Sequence, residues 1–356
     1  MRIFIVSDAW YPQINGVVRT YEHLIKALEE KGHEICITGP SEYPFAYPMP
    51  GYPEIKLAFI TGRKLNQKIQ EFKPDAIHIA TEGPLGASVR RQCQRHGWAY
   101  TSAYHTRFPQ YVSRRLASFA PILETSSEKY TTQYMRRFHN DSSLVFTATA
   151  SLEADLRESG FTTLFHRLTR GVDLQIFTPD GPKADLNIKA PIALYVGRIA
   201  LEKNLEDFLD ADWPGSKVLI GHGPNLEMLQ SRYPQAHFLG PKTGEDLAAH
   251  YRASDIFVFP SKTDTFGIVL IEALACGLPV AAYPVMGPCD IITQDKLGAL
   301  DENLQNAMEQ ALRQSRASPS KARADHIKKY YTWDLAAGQF IQGLEKIKAL
   351  SSCFAL

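Results

Sequence analysis

Twice along this sequence, short runs of β-branched and other apolar residues alternate with segments of helical period, and few folds satisfy that alternation. The first run is residues 2–6, ending at Ser7 and Asp8. Residues 18–31 follow, with Tyr21, Leu24, Ile25 and Leu28 at helical spacing and Gly32 where a C-terminal glycine would stop a helix. A second apolar run spans 33–38. The helical crossover between them fits parallel pairing, and parallel strands, buried on both faces, read as continuous apolar runs. The pattern recurs with strands at 76–80 and 99–104 around a helix at 85–96. Residues 40–54 hold five prolines and four aromatic residues, which predicts an ordered loop beside the sheet.

Prolines and glycines cluster between Gly171 and Pro182, and after them the alternation restarts. Strands are expected at 191–196, 217–220, 236–239, 255–259 and 279–283, with helices at 203–211, 224–232 and 267–276. The tail reads as helical through 302–314, 320–330 and 334–350. At 356 residues the chain exceeds the roughly 250 to 300 at which single cores stop growing. The expectation is an α/β protein of two Rossmann-like, doubly wound parallel-sheet domains facing a central cleft, where such sheets bind ligands beyond their strand ends.

Composition excludes several classes. The five cysteines (Cys36, Cys93, Cys276, Cys289 and Cys353) are odd in number and scattered, with no C-x-x-C pair, against a disulfide framework or a zinc site. That usage fits a reducing cytoplasm, and no apolar stretch is long enough for a membrane span or a signal peptide. Residues 1–170 hold 21 Lys and Arg against 16 Asp and Glu. Arg90, Arg91, Arg95, Arg107, Arg114 and Arg115 fall within 89–115 without one acid, either a solvated face or a field for phosphates and an anionic bilayer. No nucleic-acid partner is expected.

The most specific chemical feature is the segment Thr263-Asp-Thr-Phe-Gly-Ile-Val-Leu-Ile-Glu272. Asp264 precedes a helix and Glu272 lies inside it. Gly267 would let a ligand approach the backbone, and the amides of Gly267, Ile268 and Val269 with the helix dipole would suit a diphosphate, flanked by Phe266. The structural alternative makes Asp264 a helix-terminal residue and Glu272 a buried, paired acid. Arg198, directly after a strand, and Lys203, at the next helix start, would converge on a pyrophosphate. Gly223, in the Gly221-His-Gly-Pro224 turn, would let a base or sugar lie against the chain. Gly16 opens the first helix, but no G-x-G-x-x-G turn follows any strand, which disfavours a dehydrogenase. His105 falls at a strand tip, where a structural ring and one touching a reacting sugar are equally in play.

Together these segments carry a resemblance. Pro12-Gln-Ile-Asn-Gly-Val17, Tyr104-His-Thr-Arg-Phe108, Arg170-Gly-Val-Asp173, Val196-Gly-Arg198 with Glu202-Lys-Asn204, and the paired-acid segment stand in the order found in retaining GT-B glycosyltransferases of family 4. The chain resembles that family over essentially its whole length. Its acid pair is usually two glutamates; here Asp264 replaces the first at the same spacing, as in the branch resembling nucleotide-sugar mannosyltransferases and sulfoquinovosyl transferases of diacylglycerol glycolipids. His222 also departs from the acid that relatives often carry.

The resemblance implies the remaining roles. Residues 1–172 would bind the acceptor and 173–333 the nucleotide sugar, while 334–356 would cross back to the first domain as a helix whose Leu335, Phe340, Ile341, Leu344 and Ile347 need cover. Arg198 and Lys203 would neutralise the donor diphosphate, with Gly16 and the 267–269 amides completing the cradle. Asp264 would hold donor-sugar hydroxyls, Glu272 the ribose, and His105 the sugar near its reacting carbon. No metal or other cofactor is implied. The expected partners are a nucleotide-diphosphate sugar, a lipid or glycan acceptor and an anionic membrane surface, at the inner face of the cell membrane. GDP-mannose and UDP-hexoses are both open as donors. A glycolipid hydroxyl is the expected acceptor, with polysaccharide or lipopolysaccharide assembly, a GT-B epimerase and an inert subunit as alternatives. The two lobes would close on the donor.

Overall fold

The computed structural model describes residues 1–13, 15–43, 46–49, 52–58, 62–105 and 124–353. Two compact units divide the chain, one of Met1–Thr169 with Trp333–Leu356 and one of Arg170–Thr332.

In the first unit the elements run β1 (Arg2–Val6), α1 (Gly16–Glu30), β2 (Glu34–Thr38), β3 (Ala46–Met49), β4 (Tyr52–Ala58), α2 (Gly62–Phe72), β5 (Ala76–Ile79), α3 (Pro84–His96), β6 (Thr101–Tyr104), α4 (Glu124–Asn140), β7 (Leu144–Thr147), α5 (Ala150–Glu158) and β8 (Phe165–Arg167). Six strands form one parallel sheet in the order β2-β1-β5-β6-β7-β8. Alternation along β1 shows how it is held. Ile3 and Ile5 pack on one face with Tyr21, Leu24 and Leu28 of α1 and Ala337, Phe340 and Leu344 of the final helix (Trp333–Cys353). Phe4 and Val6 pack on the other with Leu65 and Ile69 of α2 and Val89 of α3. Helix α1 starts where it does because the Asn15 side chain accepts from the Val17 and Val18 amides at 2.9 and 3.1 Å. It stops where Gly32 turns to a φ of 82°.

Among the polar side chains buried within this unit, Asp8 and His78 are titratable groups shifted by their burial. Asp8, just past β1, accepts from the Leu85 and Gly86 amides in the first turn of α3, at 2.9 and 3.1 Å. Burial outweighs those bonds and pushes its carboxyl up to about 6. His78 on β5 is fully enclosed, and desolvation pulls its ring down to about 3, so it is neutral.

The loop expected at 40–54 is in part regular. After a short 3-10 turn at Pro40–Glu42, β3 and β4 pair as an antiparallel hairpin. Its prolines are tolerated because each strand of a two-stranded ribbon has an outer edge that needs no donor.

The second unit runs β9 (Ile192–Val196), α6 (Leu205–Asp210), β10 (Ser216–Ile220), α7 (Leu226–Arg232), β11 (His237–Phe238), α8 (Gly244–Ala253), β12 (Ile256–Phe259), α9 (Ile268–Ala275), β13 (Val280–Ala282), α10 (Pro288–Ile291), β14 (Gly298–Leu300), α11 (Leu304–Ala317) and α12 (Ser320–Tyr330). Its six strands are again parallel, ordered β11-β10-β9-β12-β13-β14. The helix expected at 203–211 is split: Leu201–Lys203 is a 3-10 turn, Asn204 takes a left-handed φ of 54°, and α6 begins only after it. The stretch 171–182 lies within this unit. Arg252 on α8 donates to the carbonyls of Pro182 (2.7 Å), Thr178 (3.3 Å) and Ile176 (3.4 Å) and pairs with Glu245.

Arg323 staples the other side of the unit. It is buried and donates to the carbonyls of Gly277 (2.6 Å), Lys296 (3.1 Å) and Ser318 (3.0 Å). Among the described residues no helix is long and apolar enough to cross a membrane.

Two stability outcomes follow from these buried groups. Arg323→Met strands three carbonyls and should cost about 3 kcal/mol or more, with Arg323→Lys recovering little because a point charge cannot reach all three; thermal unfolding of the two variants checks this. His78 has a folded pKa below its unfolded value, so the stability of its neutral form is present above pH 6.5 and lost as pH falls towards 3. Asp8 has the opposite sign, because its raised pKa favours folding as pH falls below about 6. Urea unfolding of His78→Gln should therefore show roughly 2 to 3 kcal/mol less loss than the parent between pH 7 and 4.5. Equal losses in the two proteins would mean that His78 ionises freely in the fold.

Candidate functional site

In the second unit, the loops leaving β9 and β10 are sewn to each other by their backbones. Gly197 N–H donates to Ile220 O at 2.9 Å, Ile199 N–H to His222 O at 3.0 Å, and Asn225 N–H to Ile199 O at 3.1 Å. So close an approach leaves no room for side chains. A Cβ at Gly223 would fall 2.2 Å from the Ile199 carbonyl oxygen. The glycine there thus meets the need of this loop contact, a requirement the sequence did not announce. Arg198 sits exposed at the end of β9, with its carbonyl held by the Tyr195 hydroxyl at 2.9 Å.

Lys203, at the end of the 3-10 turn, meets the loop that leads from β12 to α9. Its Nζ donates to both carboxylate oxygens of Asp264, at 2.7 and 2.8 Å. The two residues expected to serve different parts of a donor are thus ion-paired, both side chains largely covered. A two-oxygen grip fixes Nζ beside the approach to α9.

Helix α9 begins after Gly267, whose φ of 86° disfavours other residues. A Cβ there would lie 3.0 Å from the Phe259 ring and 3.1 Å from Leu270, so the glycine meets a packing need as well. Leu270 N–H is taken by the Gly267 carbonyl at 3.0 Å. Ile268 and Val269 lie in the first turn, where the helix supplies no acceptor for their amides. Phe266 is buried with its ring against Tyr331, centroids 5.9 Å apart, and is a packing residue. Glu272 is also buried, and its Oε2 accepts from the Tyr251 hydroxyl at 3.0 Å.

Two neighbours escaped the sequence reading. Tyr251 on α8, twenty-one positions before Glu272, fixes that carboxylate. Gly287, in the loop after β13, lies against the Asp264 to Phe266 backbone, since a Cβ there would be 2.9 Å from the Phe266 oxygen. Its glycine-proline step at a strand's end was the available signal.

In the first unit, Gly16 and His105 both follow strands and so share the carboxyl edge of the sheet. A Cβ on Gly16 would meet nothing within 4 Å. The next two amides are already capped by Asn15, so the cradle expected there narrows to Gly16 itself. His105 Nε2 lies 3.0 Å from the Tyr21 hydroxyl. The same edge carries Glu82, paired with His139 at 3.0 Å. Thr106, Arg107 and Phe108 of the His105 motif, with Arg114 and Arg115, lie outside the described residues. Among the described residues no three His, Cys, Asp or Glu side chains are grouped to hold a metal ion.

Comparison with known proteins bears on both units. Residues 14–184 match the Glycosyltransferase Family 4 description and 180–332 match Glycosyl transferases group 1. A GDP-mannose-dependent alpha-mannosyltransferase of Mycobacterium tuberculosis is 30% identical over 324 residues, 84% of this chain and 83% of the relative. An alpha-monoglucosyldiacylglycerol synthase of Acholeplasma laidlawii is 28% identical over 79% of each chain. The sucrose-phosphate synthase structure from Thermosynechococcus elongatus superposes with a TM-score of 0.77 at 20% identity, covering 98% of this chain and 99% of that one. With two parallel-sheet units, both halves matched and a relative of that identity over most of its length, the chain belongs to the GT-B glycosyltransferases of group 1 and family 4, which draw on nucleotide-sugar donors.

Proposed function

We propose that the chain is a retaining hexosyltransferase that moves a hexose from GDP-mannose or a UDP-hexose to a hydroxyl of a membrane glycolipid. The observation that carries the donor half is the Lys203–Asp264 pair, set just ahead of the open first turn of α9 and on the same sheet edge as Arg198. A diphosphate there meets two cations and the Ile268 and Val269 amides, groups aimed at the charge that develops as the leaving group departs. Asp264 then holds a sugar hydroxyl while Lys203 turns part of its charge to the phosphates. Glu272, steadied by Tyr251, takes a ribose hydroxyl. His105 contacts the sugar near the reacting carbon, from the edge it shares with Gly16. The departing phosphate accepts the acceptor's proton, so the transfer proceeds with retention and needs no enzymic nucleophile or metal.

The lipid half is supported by the diacylglycerol named for the Acholeplasma laidlawii relative and by one surface of the first unit. Arg91 and Arg95 of α3 and Lys129, Tyr130, Arg136 and Arg137 of α4 are exposed. The two helices adjoin, since Arg90 donates to the Arg137 carbonyl at 3.3 Å. Cations interleaved with a tyrosine suit the head groups of an anionic leaflet, and this supports a peripheral position at the cytoplasmic face.

Arg198→Ala and Lys203→Ala should each cost at least about 2 kcal/mol of transition-state stabilisation, roughly 30-fold in kcat/KM, with the circular dichroism spectrum kept. Near-parental turnover in either folded variant would move the donor site elsewhere. Labelled sugar from GDP-mannose or UDP-glucose should enter the lipid fraction of vesicles containing a glycosyl-diacylglycerol, diacylglycerol and anionic lipid, and recruitment should weaken as salt is raised. Transfer to a soluble glycan with no vesicle binding at low salt would overturn the lipid assignment.

A further inference from the structure

Behind His105 runs a chain of buried polar atoms that the reaction described above does not use. His105 Nε2 lies 3.0 Å from the Tyr21 hydroxyl, Tyr21 Oη lies 2.6 Å from His78 Nε2, His78 Nδ1 lies 2.8 Å from Thr101 Oγ1, and Thr101 Oγ1 lies 3.5 Å from the Ile77 carbonyl. Tyr21, His78 and Thr101 are buried. The rings are packed as well as bonded: Tyr21 stands edge-on to His105 at a centroid distance of 5.4 Å, and His78 edge-on to Phe340 at 4.9 Å.

The hydroxyl of Tyr21 has one proton and two nitrogens to serve. It donates to one ring and must accept from the other. Connectivity assigns the direction: Thr101 Oγ1 donates to the Ile77 carbonyl and so accepts from His78 Nδ1–H, which leaves Nε2 of the neutral ring to accept. Tyr21 therefore donates to His78 Nε2, His78 Nδ1–H donates to Thr101, and His105 Nε2–H donates to Tyr21. His78 stays neutral in its apolar surroundings, so its Nε2 is an acceptor throughout the physiological range. A ring that cannot turn and does not charge thus dictates the tautomer of one at the sheet edge, leaving Nδ1 the accepting nitrogen of neutral His105.

From this geometry we infer that Tyr21 is a positioning residue for the transfer, fixing the ring orientation and tautomer that His105 presents to the donor sugar, with buried His78 as its anchor. The inference rests on His105 contacting that sugar. Tyr21→Phe tests it, because the ring remains packed on both imidazoles and only the hydroxyl is lost. Turnover is read as nucleoside diphosphate released from GDP-mannose or UDP-glucose over dispersed diacylglycerol, affinity as binding of GDP or UDP, and the His105 tautomer from its ring nitrogen shifts, assigned by their loss in His105→Ala.

In Tyr21→Phe, kcat should fall roughly tenfold or more with nucleotide binding unchanged, and the His105 nitrogens should move towards a mixture of tautomers. Placed on His105→Ala, the same substitution should cost nothing further, since two residues acting through one group are not additive. If Tyr21→Phe turns over like the parent while His105→Ala does not, the inference fails and the role of His105 stands. An equal loss on both backgrounds would make Tyr21 a packing residue and also overturn it. Parental turnover in His105→Ala would instead remove the reading of His105 beneath it.

Discussion

Covering a parallel sheet on both faces leaves polar chemistry one principal place to go, the ends of the strands, and both units obey that constraint. Ile3 to Val6, Leu144 to Phe146 and Ile256 to Phe259 are almost wholly enclosed, whereas Asp8, Glu82, His105, Arg198 and Asp264 all come after a strand has ended. The buried charged and titratable groups described here have partners. Arg252 and Arg323 spend their donors on carbonyls, Asp8 collects two helix amides, and His78 remains uncharged between two hydroxyls. Each holds neighbouring segments in register, so the strand ends become fixed points from which the edge residues project.

That rigidity bears on catalysis in the second unit. The glycines at 197, 223 and 267 answer to backbone crowding, positive φ and packing, and they lock the loops of β9, β10 and β12 before any ligand arrives. Dipoles and charges held in place ahead of the reaction need no reorganisation when charge develops. Lys203 is the subtle case. An aspartate is one methylene shorter than the glutamate usual at this position, and here it takes both of its hydrogen bonds from Lys203. The pair carries no net charge, so attraction for a diphosphate at long range falls to Arg198 and the helix dipole. Lys203 contributes at contact distance, where the water-poor surroundings make a nearby phosphate worth most to it.

Periodicity was enough to read four strands of the first sheet and five of the second, because burial on both faces writes itself into consecutive residues, but it left β7, β8 and β14 unread. It gave no hint of the β3 and β4 hairpin, whose prolines mimic a loop until the free edges of a two-stranded ribbon are considered. Helix α8 was missed for another reason: Gly244 at its start and its polar surface hid Tyr251, which reaches Glu272. Among site residues, the pairing of Lys203 with Asp264 spans 61 positions, and no local signal announces it. Nor did local sequence show that the Phe266 ring is buried against Tyr331, 65 positions away. Tyr21 was legible only as one of four apolar positions on α1, since its hydroxyl partner His78 is 57 residues away.

The final helix connects these themes. Its backbone comes down on the first sheet at Gly343, where a Cβ would lie 2.5 Å from the Phe146 ring. That approach brings Phe340 edge-on to His78, and Phe146 meets the same imidazole at a centroid distance of 5.6 Å. Three aromatic rings, of Tyr21, Phe146 and Phe340, pack against this fully buried histidine, and burial is the physical reason its charged form is so costly. Were His78 protonated, both its nitrogens would donate, and Tyr21 would have to reverse and donate to His105 instead. The helix that closes the chain therefore does more than cover the sheet. By keeping one ring buried it keeps that ring neutral, and a neutral ring sets the direction of every hydrogen bond from Thr101 to His105.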